Sequence, residues 1–274
     1  MKVIIVGGVA GGESCAARLR RLDESAEILM VERGPYVSYA NCGLPYHVGG
    51  VIEKESSLLV ASPEMFRGFF AVEVRTGCEA VKISPDSKTL ELRDVASGKV
   101  TTESYDKLVL SPGARSIRPP LPGIDLPGIF QLRTVPDARA IREWLEKGSE
   151  FLAGMYQYSG FQTVRPKTRA VVVGGGFIGV ETAENLIHRG FEVTLVEMAD
   201  QILAPLDAEM ARVVEGHLER HGVKLALDDG VAAVEQADGS LKVRTQAGKV
   251  YPADIVILAL GVRPDTELAK SAGL

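Results

Sequence analysis

The sequence predicts an α/β fold in which one βαβ unit occurs twice, with a small antiparallel sheet set inside the first copy. Two short apolar strands, Lys2 to Val6 and Arg169 to Val173, each run into a glycine-rich loop and then a helix. Each loop is followed about twenty residues on by a second apolar strand ending in an acid, Glu32 or Glu197. Short strands of alternating polarity lie between the copies, separated by Pro-Asp-Ser and Ala-Ser-Gly turns.

The first copy reads strand (Lys2 to Val6), glycine loop (Gly7 to Gly12), helix (about Glu13 to Leu22) and strand (Glu27 to Glu32). A loop rich in Ser, Tyr and Asn follows, bracketed by Gly34-Pro35 and Gly43-Leu44-Pro45. Ser62 caps a helix with Pro63 in its first turn. Ala80 to Ile83, Thr89 to Arg93 and Val100 to Tyr105 are the alternating strands, and Lys107 to Ser111 is a buried one. Pro119, Pro120, Pro122 and Pro127 mark a crossing between domains. A helix from about Pro136 to Lys147 leads into an aromatic stretch without clear periodicity. The second copy then runs through a helix to about His188, a strand (Glu192 to Glu197), a helix (Asp207 to His221) and a strand ending near Gly261.

At 274 residues and 46% hydrophobic, the chain has material for two domains with real cores. A net charge of −5, no basic blocks and few aromatic residues argue against nucleic acid or a membrane surface as partner. The apolar run before Gly7 is too short for a signal-peptide core or a membrane span. Three widely spaced cysteines with no export signal point to a reducing cytoplasm rather than a disulfide framework. No metal set is assigned.

The second loop, Gly174-Gly175-Gly176-Phe177-Ile178-Gly179, is a full Gly-x-Gly-x-x-Gly. Its first glycine makes the tight turn, the second of the motif, Gly176, lets backbone approach a pyrophosphate, and Gly179 packs helix on strand. Glu197 is placed to accept hydrogen bonds from a ribose 2′-hydroxyl and would repel a 2′-phosphate. Positions 198–203 offer no arginine, so NADH is favoured over NADPH. The first loop, Gly7-Gly8-Val9-Ala10-Gly11-Gly12, keeps the first and third glycines but carries Val9 at the second, with Glu32 as its ribose acceptor. Two such units in one chain suggest FAD in one and NADH in the other.

An isolated cysteine is ordinarily a small buried hydrophobe, and Cys15 and Cys78 read that way. For Cys42 two readings stand: the same bland one, or a thiolate activated beside a flavin and helix N-termini. No second cysteine lies nearby, and position 47 is His47. Ser14, Arg18 and Arg21 share one face of the first helix. That face is either solvated surface or a pair of guanidinium groups for the phosphates of an anionic thiol.

With these residues in view, the chain resembles the coenzyme A-disulfide reductase branch of the flavin-dependent pyridine nucleotide-disulfide oxidoreductases. That branch includes NADH-dependent coenzyme A persulfide or polysulfide reductases. The most specific stretch is Ser38-Tyr-Ala-Asn-Cys-Gly-Leu-Pro-Tyr46. The two glycine loops, residues 104–114, Gly174 to Glu181 and Gly261-Val-Arg-Pro264 support it. The resemblance implies two Rossmann-like, glutathione reductase-like domains with a small crossover sheet. Residues 1–120 would be the first part of a discontinuous FAD domain, 121–260 the NADH domain and 261–274 the return to the first. FAD would lie along Gly7 to Gly12, with Glu32 on its ribose and Arg33 as a further contact. Ala80 would lie near the adenine, and Ser111, Pro112 and Gly113 near the pyrophosphate. Arg133 and Gly261 are further cofactor candidates, and Glu181 would sit near the nicotinamide–flavin stack. Cys42 would be the single redox nucleophile, with Ser14, Arg18, Arg21, Ser38 and Asn41 holding coenzyme A.

Related NADH peroxidases and water-forming oxidases carry a histidine where this chain has Ala10, which removes a proton donor for peroxide or oxygen chemistry. Residues 148–165, with Tyr156, Tyr158 and Phe161, look like an insertion. Family members continue past the position of Leu274 with a Gly-Asp motif and a dimer-forming interface domain. The expectation is therefore a fragment or truncated homologue of a homodimeric enzyme. An NADH oxidase or peroxidase and a non-catalytic nucleotide-binding remnant are the alternatives.

Overall fold

The computed structural model describes residues 1–157, 168–237 and 240–274. In chain order the elements begin with β1 (Lys2–Val6), α1 (Ala10–Leu22), β2 (Glu27–Glu32), α2 (Leu44–Gly49), α3 (Pro63–Phe70) and β3 (Val72–Thr76). There follow β4 (Cys78–Ser84), β5 (Thr89–Asp94), β6 (Val100–Ser104), β7 (Lys107–Leu110), β8 (Ala114–Ser116), β9 (Ile129–Gln131) and α4 (Val135–Gln157). The second half holds β10 (Arg169–Val173), α5 (Phe177–His188), β11 (Glu192–Val196), α6 (Ala208–Arg220) and β12 (Lys224–Ala226). It ends with β13 (Val231–Ala237), β14 (Ser240–Thr245), β15 (Val250–Ala253), β16 (Ile255–Leu258), β17 (Val262–Pro264) and α7 (Glu267–Ser271).

These elements form two compact units. Met1–Ala40, Ser56–Arg115 and Arg263–Leu274 make the first; Asn41–Glu55 and Ser116–Val262 make the second. In the first, four parallel strands lie in the order β3-β2-β1-β7. β1 and β2 are apolar almost throughout because both faces of a parallel sheet are covered. Val3 and Ile5 join Ala16, Phe66 and Val72 in one core. Ile4 and Val6 point the other way, toward Ile83, Leu90 and Leu92 of the antiparallel sheet β4-β5-β6. The alternating strands are thus the expected crossover sheet, and they cover one face of the parallel sheet.

The second unit repeats this order with one strand more, β12-β11-β10-β16-β9, all parallel. A second antiparallel sheet, β13-β14-β15, contributes Val234, Leu241 and Val243 to the core beside Val171, Val173 and Val256.

Three expectations change. The helix α1 starts at Ala10, inside the glycine loop, rather than at Glu13. The segment around Cys42 is not a loop: Asn41–Gly43 forms a tight helical turn that runs into α2, with Pro45 in the first turn of that helix. The helix α4 does not stop at Lys147 but runs to Gln157. The rest of the expected 148–165 insertion, with Tyr158 and Phe161, lies outside the described residues. Ser62 caps α3 as expected, its Oγ accepting from the Met65 N–H at 3.3 Å. No described helix is long and apolar enough to cross a membrane.

Candidate functional site

In the first unit the glycine loop closes on itself. Gly7 sits at φ +100°, and a Cβ there would stand 1.9 Å from the Ser111 carbonyl oxygen. A Cβ on Gly12 would stand 1.8 Å from the Gly7 carbonyl oxygen, so α1 can pack on the turn only with glycine there. Gly8 lies buried against Val37 and Glu32, and Gly11 faces the Ser111 hydroxyl. Glu32 is held from two sides, accepting from the N–H of Gly8 at 2.9 Å and of Gly34 at 2.7 Å. The N-terminus of α1 has Val9 as its cap residue and no side chain bonded to its free N–H groups. Ala10, beside it, is exposed.

A narrow crevice of about 80 Å³ opens at the carboxyl ends of β1 and β2. Gly7, Glu32, Arg33, Ala80 and Pro112 line it, joined by Cys78, Arg115 and Asp265. Gly113 is exposed just beyond Pro112. Asp265 is buried and accepts from Arg33 and from Arg115, each at 2.9 Å. Burial pushes its carboxyl up, but the hydrogen bonds and charges of Arg115 and Arg33 outweigh this and leave it below the usual range. Asp265 and Arg115 were not evident as site residues; the signal was the Arg-Pro-Asp that follows Gly261-Val262. Burial raises the Cys78 thiol, and Cys15 packs against the first core, so both behave as small apolar residues.

The second unit carries the matching arrangement on a larger scale. Gly174 has φ +109°, with a Cβ position 2.3 Å from the Ala259 carbonyl oxygen, and a Cβ on Gly179 would meet the Gly174 carbonyl at 1.9 Å. Gly176 differs: a Cβ there would meet nothing within 4 Å, so its lack of a side chain serves open space. Glu197 accepts from the N–H of Gly175 at 2.5 Å and of Ala199 at 2.8 Å. The cleft beyond, about 730 Å³, takes in Gly174, Gly176, Phe177, Ile178, Glu197 and Gly261. Its size suits a nucleotide-sized ligand. Among the described residues, Glu197 is the single charged one on its wall, with no lysine or arginine there. The start of α5 is again free of a side-chain cap. Both loops therefore present bare helix N-termini and a held carboxylate, which fits a dinucleotide in each.

Cys42 belongs to the second unit and is exposed at the head of α2. That helix packs on α5, and Tyr46 lies one turn on from the thiol. Glu181 first, then burial, Glu184 and Cys42 push the Tyr46 phenol up. Burial and then Glu184 raise Glu181 above the ordinary carboxylate value. Asn41, beside the thiol, leaves its Oδ1 shielded from solvent and without a partner among the described residues. Arg133 falls in the second unit, where its N–H donates to Asp137 at 3.0 Å, and it does not line the first crevice.

The remaining expected residues lie in the first unit. Ser14, Arg18 and Arg21 are all exposed on α1, and among the described residues neither arginine meets a carboxylate within ion-pair distance. Arg20, by contrast, is committed to the carbonyls of Phe70, Ala26 and Glu24 at 2.8, 2.7 and 2.6 Å. Ser38 is buried at φ 47°, its N–H donating to the Gly8 carbonyl at 2.9 Å.

The pyridine nucleotide-disulphide oxidoreductase family matches residues 1–274. The chain belongs to this family. Among the family's proteins, an NADH oxidase of Methanocaldococcus jannaschii is 35% identical over 277 residues, covering 100% of this chain and 57% of that protein. A coenzyme A disulfide reductase of Staphylococcus aureus is 30% identical over 273 residues, with the same shares. Reduced Bacillus anthracis CoADR-RHD superposes with a TM-score of 0.90 at 46% identity, covering 100% of this chain and 46% of that one. A NAD-dependent persulfide reductase from A. fulgidus superposes at 0.89 with 36% identity, covering 100% and 48%. The chain thus spans little more than half the length of the curated relatives it matches. Its two Rossmann-like units are the α/β fold of this family.

Proposed function

We propose that the chain is the nucleotide-binding part of a flavoprotein in which electrons from NADH reach one cysteine, Cys42, and reduce a coenzyme A-type disulfide, persulfide or polysulfide. The observation that carries the reading is an exposed lone thiol at the head of α2, the helix that packs on the one leaving the second dinucleotide loop. For a disulfide the net reaction is RSSR + NADH + H⁺ → 2 RSH + NAD⁺. FAD, held along Gly7 to Gly12 with Glu32 and Arg33 toward its adenosine half, supplies when bound the two-electron relay between nicotinamide and sulfur.

The chain's own residues do the rest. The Cys42 thiolate attacks one sulfur of the substrate, an S–S bond forms to Cys42, and the other thiolate leaves. Arg18 and Arg21, with Ser14, meet substrate phosphates from α1, and Ser38 and Asn41 contribute from the segment before the thiol. The unpartnered Asn41 Oδ1 supports that role. Glu181 lies toward the nicotinamide on α5. Glu197 accepts the ribose hydroxyls and, on a wall without cations, favours NADH over NADPH. The whole protein works as a cytoplasmic homodimer.

Replacing Cys42 by Ser in the full-length protein should abolish NADH-driven reduction of coenzyme A disulfide while the flavin absorbance stays. Retained turnover would overturn the assignment. The name of the M. jannaschii relative favours a second reading, an NADH oxidase. NADH-dependent oxygen uptake without any thiol substrate would select it, against the loss of a proton donor at Ala10.

A further inference from the structure

The helix α5 touches two places at once within the second unit. Its first residues, Phe177 and Ile178, line the dinucleotide cleft. Further along, Glu181 and Asn185 of the helix and Arg189 at its C-cap follow at four-residue spacing, which stacks them along one side. That side carries the Cys42 segment. A Cβ on Gly49 would lie 2.5 Å from Asn185 Oδ1 and 2.7 Å from its Cβ, so α2 and α5 meet almost backbone to side chain. Arg189 donates to the Val48 carbonyl at 2.9 Å, and burial lowers the pKa of its guanidinium. From the other side, Arg142 of α4 donates to the Glu53 carbonyl at 2.8 Å, and Arg139 pairs with Glu55 at 2.6 Å. Asn185 is buried at 2% exposure in mid-helix, where an apolar residue would otherwise serve packing. Its amide nitrogen donates to the Glu181 carbonyl at 2.8 Å, which fixes the side chain against Gly49.

We propose that α5 is a strut through which occupancy of the second cleft sets the accessibility of Cys42, with Asn185 and Arg189 as its positioning residues. A ligand at the loop fixes the first turn of α5, a packed helix moves as a body, and α2, which continues from the turn that presents the thiol, is seated on its far half through Val48 and Gly49. The bound state then holds the Cys42 turn in fewer arrangements, and capture of the thiol slows. The inference rests on the dinucleotide reading of the second cleft and on Cys42 as the reactive thiol.

The test is alkylation of Cys42 by iodoacetamide, followed by mass spectrometry, with and without saturating ADP-ribose. This probe fills the adenosine and pyrophosphate positions but has no nicotinamide to cover the thiol or reduce anything. Slowing by about fivefold or more is expected, the usual size of coupling between two sites. Asn185→Ala and Arg189→Ala should abolish the slowing while ADP-ribose still binds, and Arg189→Lys should restore most of it. If Arg189→Ala fails to fold, Asn185→Ser carries the test. Binding of ADP-ribose with no change in the alkylation rate overturns the strut alone. So does equal slowing in Asn185→Ala and the parent. No binding of ADP-ribose removes the dinucleotide reading and the coupling together.

Discussion

In the first βαβ copy Glu32 takes hydrogen bonds from the N–H groups of Gly8 and Gly34; in the second, Glu197 takes them from Gly175 and Ala199. Six residues past each acid, Ser38 and Leu203 adopt φ of 47° and 50° and donate to the carbonyls of Gly8 and Gly175. Asp106 and Asp254, each just ahead of the fourth strand, accept from the N–H of Lys2 and Arg169 at 2.6 and 2.8 Å. The copies therefore share a frame made of backbone and carboxylates. They part where side chains meet a ligand: Val9 against Gly176, a crevice of about 80 Å³ against a cleft of about 730 Å³. They part again on the helix face two and six residues past the third glycine. Ser14 and Arg18 leave that face open in the first copy, whereas Glu181 and Asn185 seat the Cys42 segment on it in the second. One frame can thus serve two ligands because the differences lie off the hydrogen bonds that build it.

The harshest way to break the equivalence is to add one methyl to each third glycine. Gly12→Ala and Gly179→Ala both force a Cβ within 2 Å of a carbonyl oxygen of their own loop, which no side-chain motion relieves. Each should destabilise its unit by about 3 kcal/mol or more. Urea unfolding measures this, with Trp144, the chain's one tryptophan, reporting the second unit. A mild effect in one copy would show that its helix is not packed on the turn as the other is.

Next comes the pair of acids. Glu32→Ala and Glu197→Ala each orphan two loop N–H groups that had a charged acceptor, so both should cost about 2 kcal/mol in the same unfolding experiment. Values differing by more than the spread of ordinary surface changes would mean that one acid is held by something besides its loop. Gly176→Val then separates frame from ligand. Its φ of −74° and ψ of −177° suit valine, and nothing lies within 4 Å, so stability should hold within about 0.5 kcal/mol. NADH affinity should nevertheless fall about tenfold or more, because the methyls occupy the approach to the pyrophosphate. Unchanged NADH binding by fluorescence titration would place the dinucleotide elsewhere.

The parts of this comparison that were legible in the sequence are those written locally. Strands β1 and β10 carry unbroken apolar runs between a charged residue and a glycine, β2 carries one between Glu27 and Glu32, and their bounds follow from that. Both acids and both sets of glycines are set by spacing from those strands. The segment 41–55 was not legible, because the Ser, Tyr and Asn of the stretch from Gly34 to Pro45 suggest a loop while Pro45 and Gly50 can equally begin and end a short helix. Its attachment to the second unit depends on Arg139, Arg142 and Arg189, 84, 89 and 141 residues from their partners in the chain. No local pattern announces such contacts. The same holds for Asp265, which meets Arg33 across 232 residues.

The smallest effect concerns the residue two past the third glycine, Glu181, whose counterpart Ser14 is uncharged and exposed. Burial, and then Glu184, disfavours the ionised Glu181 carboxyl, so its folded pKa stands above the ordinary 4.5. A carboxyl raised on folding binds its proton more tightly in the native state. Its contribution is therefore fully present below about 4.5 and is lost as the pH rises through the folded value. At neutral pH the native state carries this charge at a cost, and Glu181→Gln removes it while keeping the shape. The variant should melt slightly higher than the parent at pH 7, and the difference should shrink as the pH falls through the raised folded value toward the ordinary 4.5. Tm measured across that range decides it. A Gln variant that melts lower at pH 7 would mean that Glu181 is held in the second unit by a partner its ionised form needs, and that the two helix faces differ in more than what is seated on them.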